Sequence, residues 1–172
     1  MPARQVVVLV EGRSDAVVVE LLARRHGLGE VVETVPMGGV TNVRQHVGRL
    51  AAGSPQRVVL GLCDAPEVRF LERVDPPLDG VYVCDRDLED ELIRALGIEA
   101  VLAVLADLDE LSRFRTFQGQ PEWRERPLHD QLRRFAGTRS GRKALLAEHL
   151  AGALAPGTTP APLRELLDAV AR

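Results

Sequence analysis

The chain has 172 residues, of which 45% are apolar and 27% charged, so it can bury one hydrophobic core and carry a helical appendage. Its formal net charge of −3 neither requires a polyanionic partner nor excludes one, because a carboxylate-rich site can coexist with a basic surface. The first apolar run, at 6–10, is too short for a signal peptide or a membrane span. Cys63 and Cys84 each end an apolar run, where a small buried side chain is typical. We therefore expect a cytoplasmic protein with reduced thiols.

Four short apolar segments, rich in β-branched residues, predict strands that are buried on both faces, as in a parallel sheet. They are 5–10, 31–35, 57–63 and 80–84. A helical pattern follows each of them, at 14–26, 41–52, 66–74 and 87–96. This alternation predicts an α/β fold with a mainly parallel four-stranded sheet, flanking helices and right-handed crossovers.

The sequence changes character after Gly97. An apolar run at 98–105 is followed by a stretch at 111–126 that we interpret as irregular, and then by three amphipathic helical segments. These segments are 128–135, 140–154 and 162–170. We therefore predict an α/β domain at 1–110 and a helical extension at 111–172 that packs on it.

Acidic residues follow three of the four predicted strands. Glu11 and Asp15 follow the first strand, Asp64 and Glu67 the third, and Asp85, Asp87 and Glu89 the fourth. Because the carboxyl ends of parallel strands meet at one edge of a sheet, we expect these side chains to converge. Converging carboxylates repel one another, and a hard divalent cation such as Mg²⁺ or Mn²⁺ relieves that repulsion. The alternative is that polar residues are simply common where a strand leaves a sheet.

Basic and aromatic residues are mixed between positions 113 and 143. Arginine supplies all the Lys and Arg positions of the chain except Lys143, whose compact ammonium contacts phosphate differently from a planar guanidinium. The mixture fits an electrostatic track for single-stranded nucleic acid, or an arm whose aromatic side chains pack on the core while its arginines stay solvated. The candidate nucleic-acid-binding residues are Arg113, Arg115, Arg139 and Arg142, and the aromatic residues are Phe114, Phe117, Trp123 and Phe135.

Two other patterns do not predict a site. The segment 137–143 is rich in glycine and basic residues, but its spacing differs from a G-x-x-x-x-G-K-[ST] phosphate loop and no buried strand is predicted before it. We therefore predict no intrinsic ATPase. The four histidines show no metal-ligand spacing and are interpreted as surface or helix-end residues: His26, His46, His129 and His149.

Four short segments form a recognisable combination: Glu11-Gly12-Arg13-Ser14-Asp15, Met37-Gly38-Gly39, Gly61-Leu62-Cys63-Asp64 and Asp87-Leu88-Glu89. Together they resemble the TOPRIM domain shared by topoisomerases, bacterial primases and OLD-family nucleases, and the first two are most similar to the OLD-family branch. The resemblance covers residues 5–97 and extends more weakly to Gly141-Arg142-Lys143. It implies a TOPRIM-like, Rossmann-like fold, a divalent metal and action on nucleic acid. OLD-type nucleases usually carry an ATPase domain, which this sequence lacks, so we expect a separate ATPase partner.

The resemblance also implies roles for the first acidic residues. Glu11 and Asp15 match metal ligands, and Glu11 is also a candidate general acid or base. Asp64 matches the first aspartate of the family's D-x-D motif. The chain departs from the motif at Pro66, which occupies the second aspartate position. Glu67, one residue later, is the nearest substitute ligand.

Two further matches lie later in the sequence. Asp87 and Glu89 match the late acidic motif of the family and are candidate metal ligands. Lys143 matches a lysine thought to stabilise the charge that develops on the phosphate, a role that a compact ammonium can fill. The sequence therefore predicts Glu11 and Lys143 as catalytic residues.

We therefore predict metal-dependent hydrolysis of DNA phosphodiester bonds by an endonuclease or nickase, with RNA as the alternative substrate. Two other functions remain open. Nucleotidyl transfer can use the same kind of site, although strand rejoining needs a nucleophilic tyrosine and Tyr82, the only one, lies within the fourth predicted strand. A non-catalytic nucleic-acid-binding or regulatory module, working with a separate ATPase, is favoured by the missing second aspartate.

Overall fold

The structure, a computed structural model, describes residues 5–53, 57–138 and 140–172. Its sheet contains β1 (Val6–Val10), β2 (Val32–Pro36), β3 (Val58–Asp64) and β4 (Gly80–Cys84) in the order β2-β1-β3-β4. All three strand pairs are parallel. Every residue of β1 is buried, as expected for an unbroken β-branched run at the centre of a parallel sheet. The predicted α/β fold class is confirmed.

The seven predicted helical segments agree to within a few residues with helices of the structure, and the described residues form nine α-helices in all. They are α1 (Arg13–Arg25), α2 (Val43–Gly53), α3 (Val68–Glu72), α4 (Leu88–Leu96), α5 (Ile98–Asp107), α6 (Leu111–Gln118), α7 (Leu128–Ala136), α8 (Ser140–Ala153) and α9 (Ala161–Ala171). Short 3₁₀ turns at Val40–Asn42 and Ala65–Glu67 precede α2 and α3. Within the described ranges, every helix is too short or too polar to cross a lipid bilayer.

The prediction of an irregular stretch at 111–126 is wrong for its first half, which forms α6. Leu111, Phe114 and Phe117 recur at three-residue spacing, and the two phenylalanines are buried on the inner face of this helix. The arginines between them face outward and obscured that period. Turns follow from Gly119 to Arg126.

The side chains of β1 alternate between two hydrophobic layers. Val7 and Leu9 face a small layer that includes residues of α2 and α3, whereas Val6, Val8 and Val10 face a larger one. The larger layer contains buried residues of α1 and of every helix from α4 to α9. The helices after Gly97 therefore share one continuous core with the central strand.

Helices α1 and α8 pack against each other. The Arg25 guanidinium, in the last turn of α1, donates hydrogen bonds to the carbonyl oxygens of Ala151 and Leu154 at 3.0 and 2.9 Å, and to that of Gly152 at 3.4 Å. The last turn of an α-helix leaves carbonyl oxygens without an intrahelical partner, and Arg25 supplies donors at this end of α8; the Ala151 carbonyl also accepts a hydrogen bond from the Leu154 amide at 3.3 Å. The contact aligns the two carboxyl ends, and the amino ends of α1 and α8 therefore lie together at the edge where the strands end.

Candidate active site

Carboxylates gather where three adjacent strands end. Glu11 directly follows β1, Asp64 is the last residue of β3, and Glu89 lies in the first turn of α4, just after β4. Because β1, β3 and β4 are parallel neighbours, these side chains emerge at the same edge of the sheet. We use the name acidic cluster for the carboxylates grouped there: Glu11, Asp15, Asp64, Glu67 and Glu89.

Three members of the acidic cluster form a tight group. One carboxylate oxygen each from Glu11, Asp64 and Glu67 lies within 4.8 Å of the other two. Glu67 reaches this group from the 3₁₀ turn that follows β3, one residue beyond the aspartate position that Pro66 occupies. The structure thus brings together Glu11 and Asp64, whose roles the resemblance implies, and Glu67, the proposed substitute for the second aspartate of the D-x-D motif.

Proximity and burial make these carboxyl groups unusually hard to ionise. Burial, followed by the charges of Asp15, Asp87 and Glu11, raises the pKa of Asp64 to about 8. Burial and the contact with Glu11 raise the pKa of Glu67 to about 7. These groups therefore retain protons near neutral pH unless another positive charge replaces them.

Glu89 and Lys143 form a pair between α4 and α8. Glu89 is only 4% exposed, and the ammonium Nζ of Lys143 lies 3.6 Å from its Oε1. Burial raises the pKa of Glu89 to about 7, although the charge of Lys143 acts in the opposite direction. For Lys143, burial alone would lower the pKa, but the charges of Glu89, Asp15 and Asp64 outweigh it and raise the pKa overall. Lys143 is therefore a stable ammonium at the rim of the acidic cluster.

The main chain around Glu11 and Asp15 is held by local hydrogen bonds. The Asp15 carboxylate accepts a hydrogen bond from the Gly12 amide at 2.9 Å, at the start of α1, and burial raises the pKa of Asp15 despite this contact. The Gly39 amide donates to the Glu11 carbonyl at 3.1 Å. Gly38 and Gly39 have φ angles of 70° and 120°, a region that residues with a Cβ rarely adopt. The glycine pair after β2 therefore serves to fix the backbone of Glu11.

The residues of the acidic cluster fit a hard divalent cation. All donors are carboxylate oxygens, which Mg²⁺ and Mn²⁺ prefer. Glu67 Oε2 is buried and has no hydrogen-bond partner among the described residues, and Glu89 Oε1, also buried, has only the ionic contact with Lys143 at 3.6 Å. Buried carboxylate oxygens without a partner are costly, and coordination to a cation removes that cost.

Asp87 occupies a different position from the other predicted ligands. One of its oxygens accepts a hydrogen bond from the Asp90 amide at 2.8 Å and caps α4, and the other accepts one from Arg133 Nε at 2.6 Å. Asp87 is close enough to raise the pKa of Asp64. Because both of its oxygens are engaged by protein donors, we leave Asp87 out of the ligand set proposed below.

Two of the predicted nucleic-acid-binding arginines are engaged by a carboxylate of the chain. Arg113 and Arg142 both bind Glu110, at 2.7 and 2.9 Å. The Arg142 side chain is only 9% exposed, and its guanidinium lies 4.1 Å from the centre of the Phe135 ring, so it has little surface left for a phosphate. Arg115 is exposed and donates to Gln118. Arg139 lies outside the described residues.

The aromatic residues of this region divide into two groups. Phe114, Phe117 and Phe135 are buried and pack against one another, with ring centres 5.2 to 6.4 Å apart. For these three residues, packing on the core is the correct interpretation. Trp123 is half-buried and stacks on Phe117, with ring centres 5.4 Å apart.

A buried ionic network next to the acidic cluster was missed by the sequence analysis. Asp90, 1% exposed, accepts a hydrogen bond from Arg94 at 2.8 Å and contacts His129 Nε2 at 2.8 Å and Arg86 at 3.3 Å. Burial alone would raise the pKa of Asp90, but the contacts with His129 and Arg94 lower it overall. The four-residue spacing of Asp90 and Arg94 is a detectable signal. The bond to His129 joins α4 to α7, so this histidine is more than the surface or helix-end residue that we predicted.

The parallel sheet in the order β2-β1-β3-β4, with acidic residues at the ends of β1 and β3 and after β4, defines a TOPRIM-like fold. Among solved structures, the chain is similar to the C-terminal region of the Burkholderia pseudomallei OLD protein, with a TM-score of 0.65 and 19% identity over 98% of this chain and 97% of that one. It is also similar to the C-terminal region of the Xanthomonas campestris pv. campestris OLD protein, with a TM-score of 0.64 and 21% identity over 99% and 98% of the two chains.

These similarities establish the fold over nearly the whole chain, and they confirm at that level the predicted resemblance to OLD-type TOPRIM domains. No protein-family model matches the sequence, and no curated protein matches it. The arguments about function therefore depend on the site itself.

Proposed function

We propose that this chain is a nuclease module that hydrolyses phosphodiester bonds of DNA with the help of Mg²⁺ or Mn²⁺. The observation that supports it best is the group formed by Glu11, Asp64 and Glu67, whose oxygens lie within 4.8 Å of one another, beside the ammonium of Lys143. Several carboxylates that cannot all ionise without a cation would bind the metal, and the fixed positive charge of Lys143 beside them would bind the phosphate of the substrate.

Glu11, Asp64 and Glu67 would hold the cation, and Asp15 and Glu89 would extend the ligand set. A divalent cation at such a site supplies Lewis-acid stabilisation of phosphate charge and lowers the pKa of coordinated water. The buried Glu67 Oε2, which has no hydrogen-bond partner among the described residues, would gain a partner when the cation binds.

Lys143 would neutralise the charge that develops on the phosphate during hydrolysis. Its ammonium is held by Glu89 at 3.6 Å, so no rearrangement of a long side chain is needed at the moment of reaction. Glu11 would act as the general acid or base, because its carboxylate lies within the group that would hold the cation and its coordinated water.

The position of the tyrosine argues against strand rejoining. Tyr82 is half-buried in β4, two residues before the strand ends, and lines a separate cavity with Glu165 and Asp168 of α9. A tyrosine in that position cannot attack a phosphate at the acidic cluster. We therefore favour hydrolysis over transfer through a tyrosyl intermediate.

A non-catalytic nucleic-acid-binding or regulatory module is the second candidate, and one observation favours it. Pro66 stands where the family's D-x-D motif has its second aspartate. The position of Glu67 against Glu11 and Asp64 supports the view that a longer side chain replaces the missing ligand. We further propose that any ATP dependence comes from an ATPase outside these 172 residues.

The proposal can be tested with supercoiled plasmid and end-labelled oligonucleotides in millimolar Mg²⁺, Mn²⁺ or EDTA. We expect cleavage only with the divalent cations and its loss in Asp64→Asn. The cations should also raise the melting temperature of the wild type and not that of Asp64→Asn, because only binding to the native state adds stability. Glu148→Gln, an exposed change on α8, is the matched control. Cation-dependent stabilisation without cleavage would instead support the non-catalytic module.

A further inference from the structure

A cavity of about 520 Å³ opens beside the acidic cluster, and Glu89 and Lys143 form part of its wall. The rest of the wall comes from the two residues before α4, the turns before α7, α7 itself and Gly137 directly after it. This volume lies in the range of small-ligand sites. We name it the arginine cavity, because four arginines contribute to its lining: Arg86, Arg126, Arg133 and Arg134.

The charges that line the arginine cavity do not cancel. Three carboxylates belong to the lining, and each is paired with a cation of the same lining. The pairs are Arg133 with Asp87 at 2.6 Å, Arg86 with Asp130 at 2.9 Å, and Lys143 with Glu89 at 3.6 Å. Arg126 and Arg134 are exposed, and neither has a carboxylate within 4.0 Å in the described part of the chain. Two positive charges are thus left for an anionic ligand.

The turns that carry Trp123 and Arg126 are held in place by a buried glutamine. Gln131 is only 4% exposed, and its Nε2 donates to the carbonyl oxygens of Trp123 and Arg126 at 2.8 and 2.9 Å. Its Oε1 accepts a hydrogen bond from Gln118 at 2.6 Å. A buried polar side chain that satisfies loop carbonyls in this way fixes the loop before a ligand arrives.

Trp123 gives the arginine cavity an aromatic wall. It lines the cavity and stacks on Phe117 with an interplanar angle of 26°, which restrains the indole ring. Nucleobases stack on aromatic side chains of this kind without regard to sequence. An aromatic surface, two unpaired arginines and an adjacent Lys143 together match the parts of a nucleotide.

We propose that the arginine cavity binds one unpaired nucleotide of the substrate strand next to the scissile phosphate, with its base against Trp123 and its phosphate held by Arg126 and Arg134. The inference rests on the proposed function and narrows its substrate to single-stranded or locally unpaired nucleic acid. A base in an intact duplex is stacked and paired, and it would have to leave the helix to enter a cavity between helices.

Binding can be measured without catalysis, in EDTA, by the fluorescence of Trp123, the only tryptophan in the chain. An oligothymidylate of about 12 nucleotides, a length within the range that single-strand sites cover, should quench it and bind at least about tenfold more tightly than a duplex of equal length. Arg126→Ala combined with Arg134→Ala should weaken that binding about tenfold or more, and lower the salt slope by about 0.7, the value for one phosphate contact on a single strand. Arg49→Ala combined with Arg164→Ala removes two exposed arginines elsewhere and should change neither.

The base-stacking part needs a second probe, because removal of Trp123 also removes the signal. With a dye-labelled oligonucleotide and anisotropy, Trp123→Leu should weaken binding about tenfold, as for the loss of one stacked base, and Trp123→Phe should recover most of it. Melting curves of each variant check that the fold is retained. Equal affinity for duplex, absence of binding by wild type, or wild-type affinity in the double arginine variant would each overturn the inference. If those results came with Mg²⁺-dependent cleavage that Asp64→Asn abolishes, the proposed function would stand without the cavity.

Discussion

The acidic cluster and the arginine cavity are neighbours with opposite electrostatic balance. In the acidic cluster, carboxylates face one another, the pKa values of Asp64, Glu67 and Glu89 rise to about 8, 7 and 7, and the buried Glu67 Oε2 lacks a partner among the described residues. In the arginine cavity, each lining carboxylate has a cation beside it. The first region is therefore incomplete without a cation, whereas the second is complete and has two arginines to spare. The contrast separates the part of the site that should respond to metal from the part that should respond to nucleic acid.

Lys143 stands on the boundary between the two regions, and its removal should have the largest effect. Lys143→Ala should reduce DNA cleavage about 100-fold, as for the loss of one preorganised charge-stabilising donor. Lys143→Arg should recover only part of the activity, because a planar guanidinium does not reproduce a point charge. The measurement is turnover at saturating substrate and Mg²⁺.

Stability provides the control for this variant. Loss of Lys143 leaves Glu89 buried without its counter-charge, and the pKa of Glu89 is about 7, so the destabilisation should be small below that pH and grow above it. Unchanged turnover in Lys143→Ala at a pH where the variant is fully folded would remove Lys143 from the chemistry.

Arg25 should have the next largest effect, because it ties α1 to α8 and so brings Asp15 and Lys143 together. Arg25→Ala removes the Arg25 donors from three carbonyl oxygens at the end of α8, and we expect a loss of about 2 kcal/mol in the free energy of unfolding. Urea denaturation measures it. Arg24→Ala, one residue earlier and exposed, is the control. An equal loss of stability in both variants would show that the contact of Arg25 with the end of α8 does not stabilise the fold.

The sequence allowed the acidic cluster to be predicted because each of its members lies within a few residues of a strand end. Once the strands are recognised from their apolar runs, the parallel sheet alone brings Glu11 and Asp64 together. Glu67 differs from the others, since the sequence identifies it only as the nearest substitute for the expected aspartate, and the structure shows that the 3₁₀ turn after β3 brings its side chain to Glu11 and Asp64.

The arginine cavity could not be predicted in the same way. Arg133 meets Asp87 across 46 positions of sequence and Arg86 meets Asp130 across 44, so these contacts depend on how α7 packs against α4. The sequence predicts Arg142 as a phosphate contact, but in the structure its guanidinium packs on Phe135 and binds Glu110. Helix packing decides which arginine is free, and a short local pattern carries no signal of it.

The pH dependence of the metal-free protein should expose the strain of the acidic cluster. Asp64, Glu67 and Glu89 have higher pKa values in the folded chain than their ordinary values of 3.8, 4.5 and 4.5. The folded state therefore binds more protons than the unfolded state between about pH 4 and pH 8, and stability falls as pH rises through that window.

In EDTA, the melting temperature should consequently be lower at about pH 8.5 than at about pH 5.5, by an amount on the order of 3 °C once solvent screening of these partly exposed groups is allowed for. Saturating Mg²⁺ should remove most of that slope by taking the place of the protons. A melting temperature that rises with pH in EDTA would show that the carboxylates are already compensated.

Asp87 gives the smallest expected effect and the finest test of where one region ends and the other begins. It lines the arginine cavity, yet it also raises the pKa of Asp64. Asp87→Asn keeps a good helix cap and removes the charge that binds Arg133, so we expect a loss of about 1 kcal/mol or less, nearly unchanged Mg²⁺-dependent stabilisation and at most about a threefold fall in cleavage. Asp87→Ala should add about 1 kcal/mol for the lost cap. Loss of the Mg²⁺-induced rise in melting temperature in Asp87→Asn, to the extent seen in Asp64→Asn, would make Asp87 a metal ligand after all and move the boundary of the acidic cluster into the cavity.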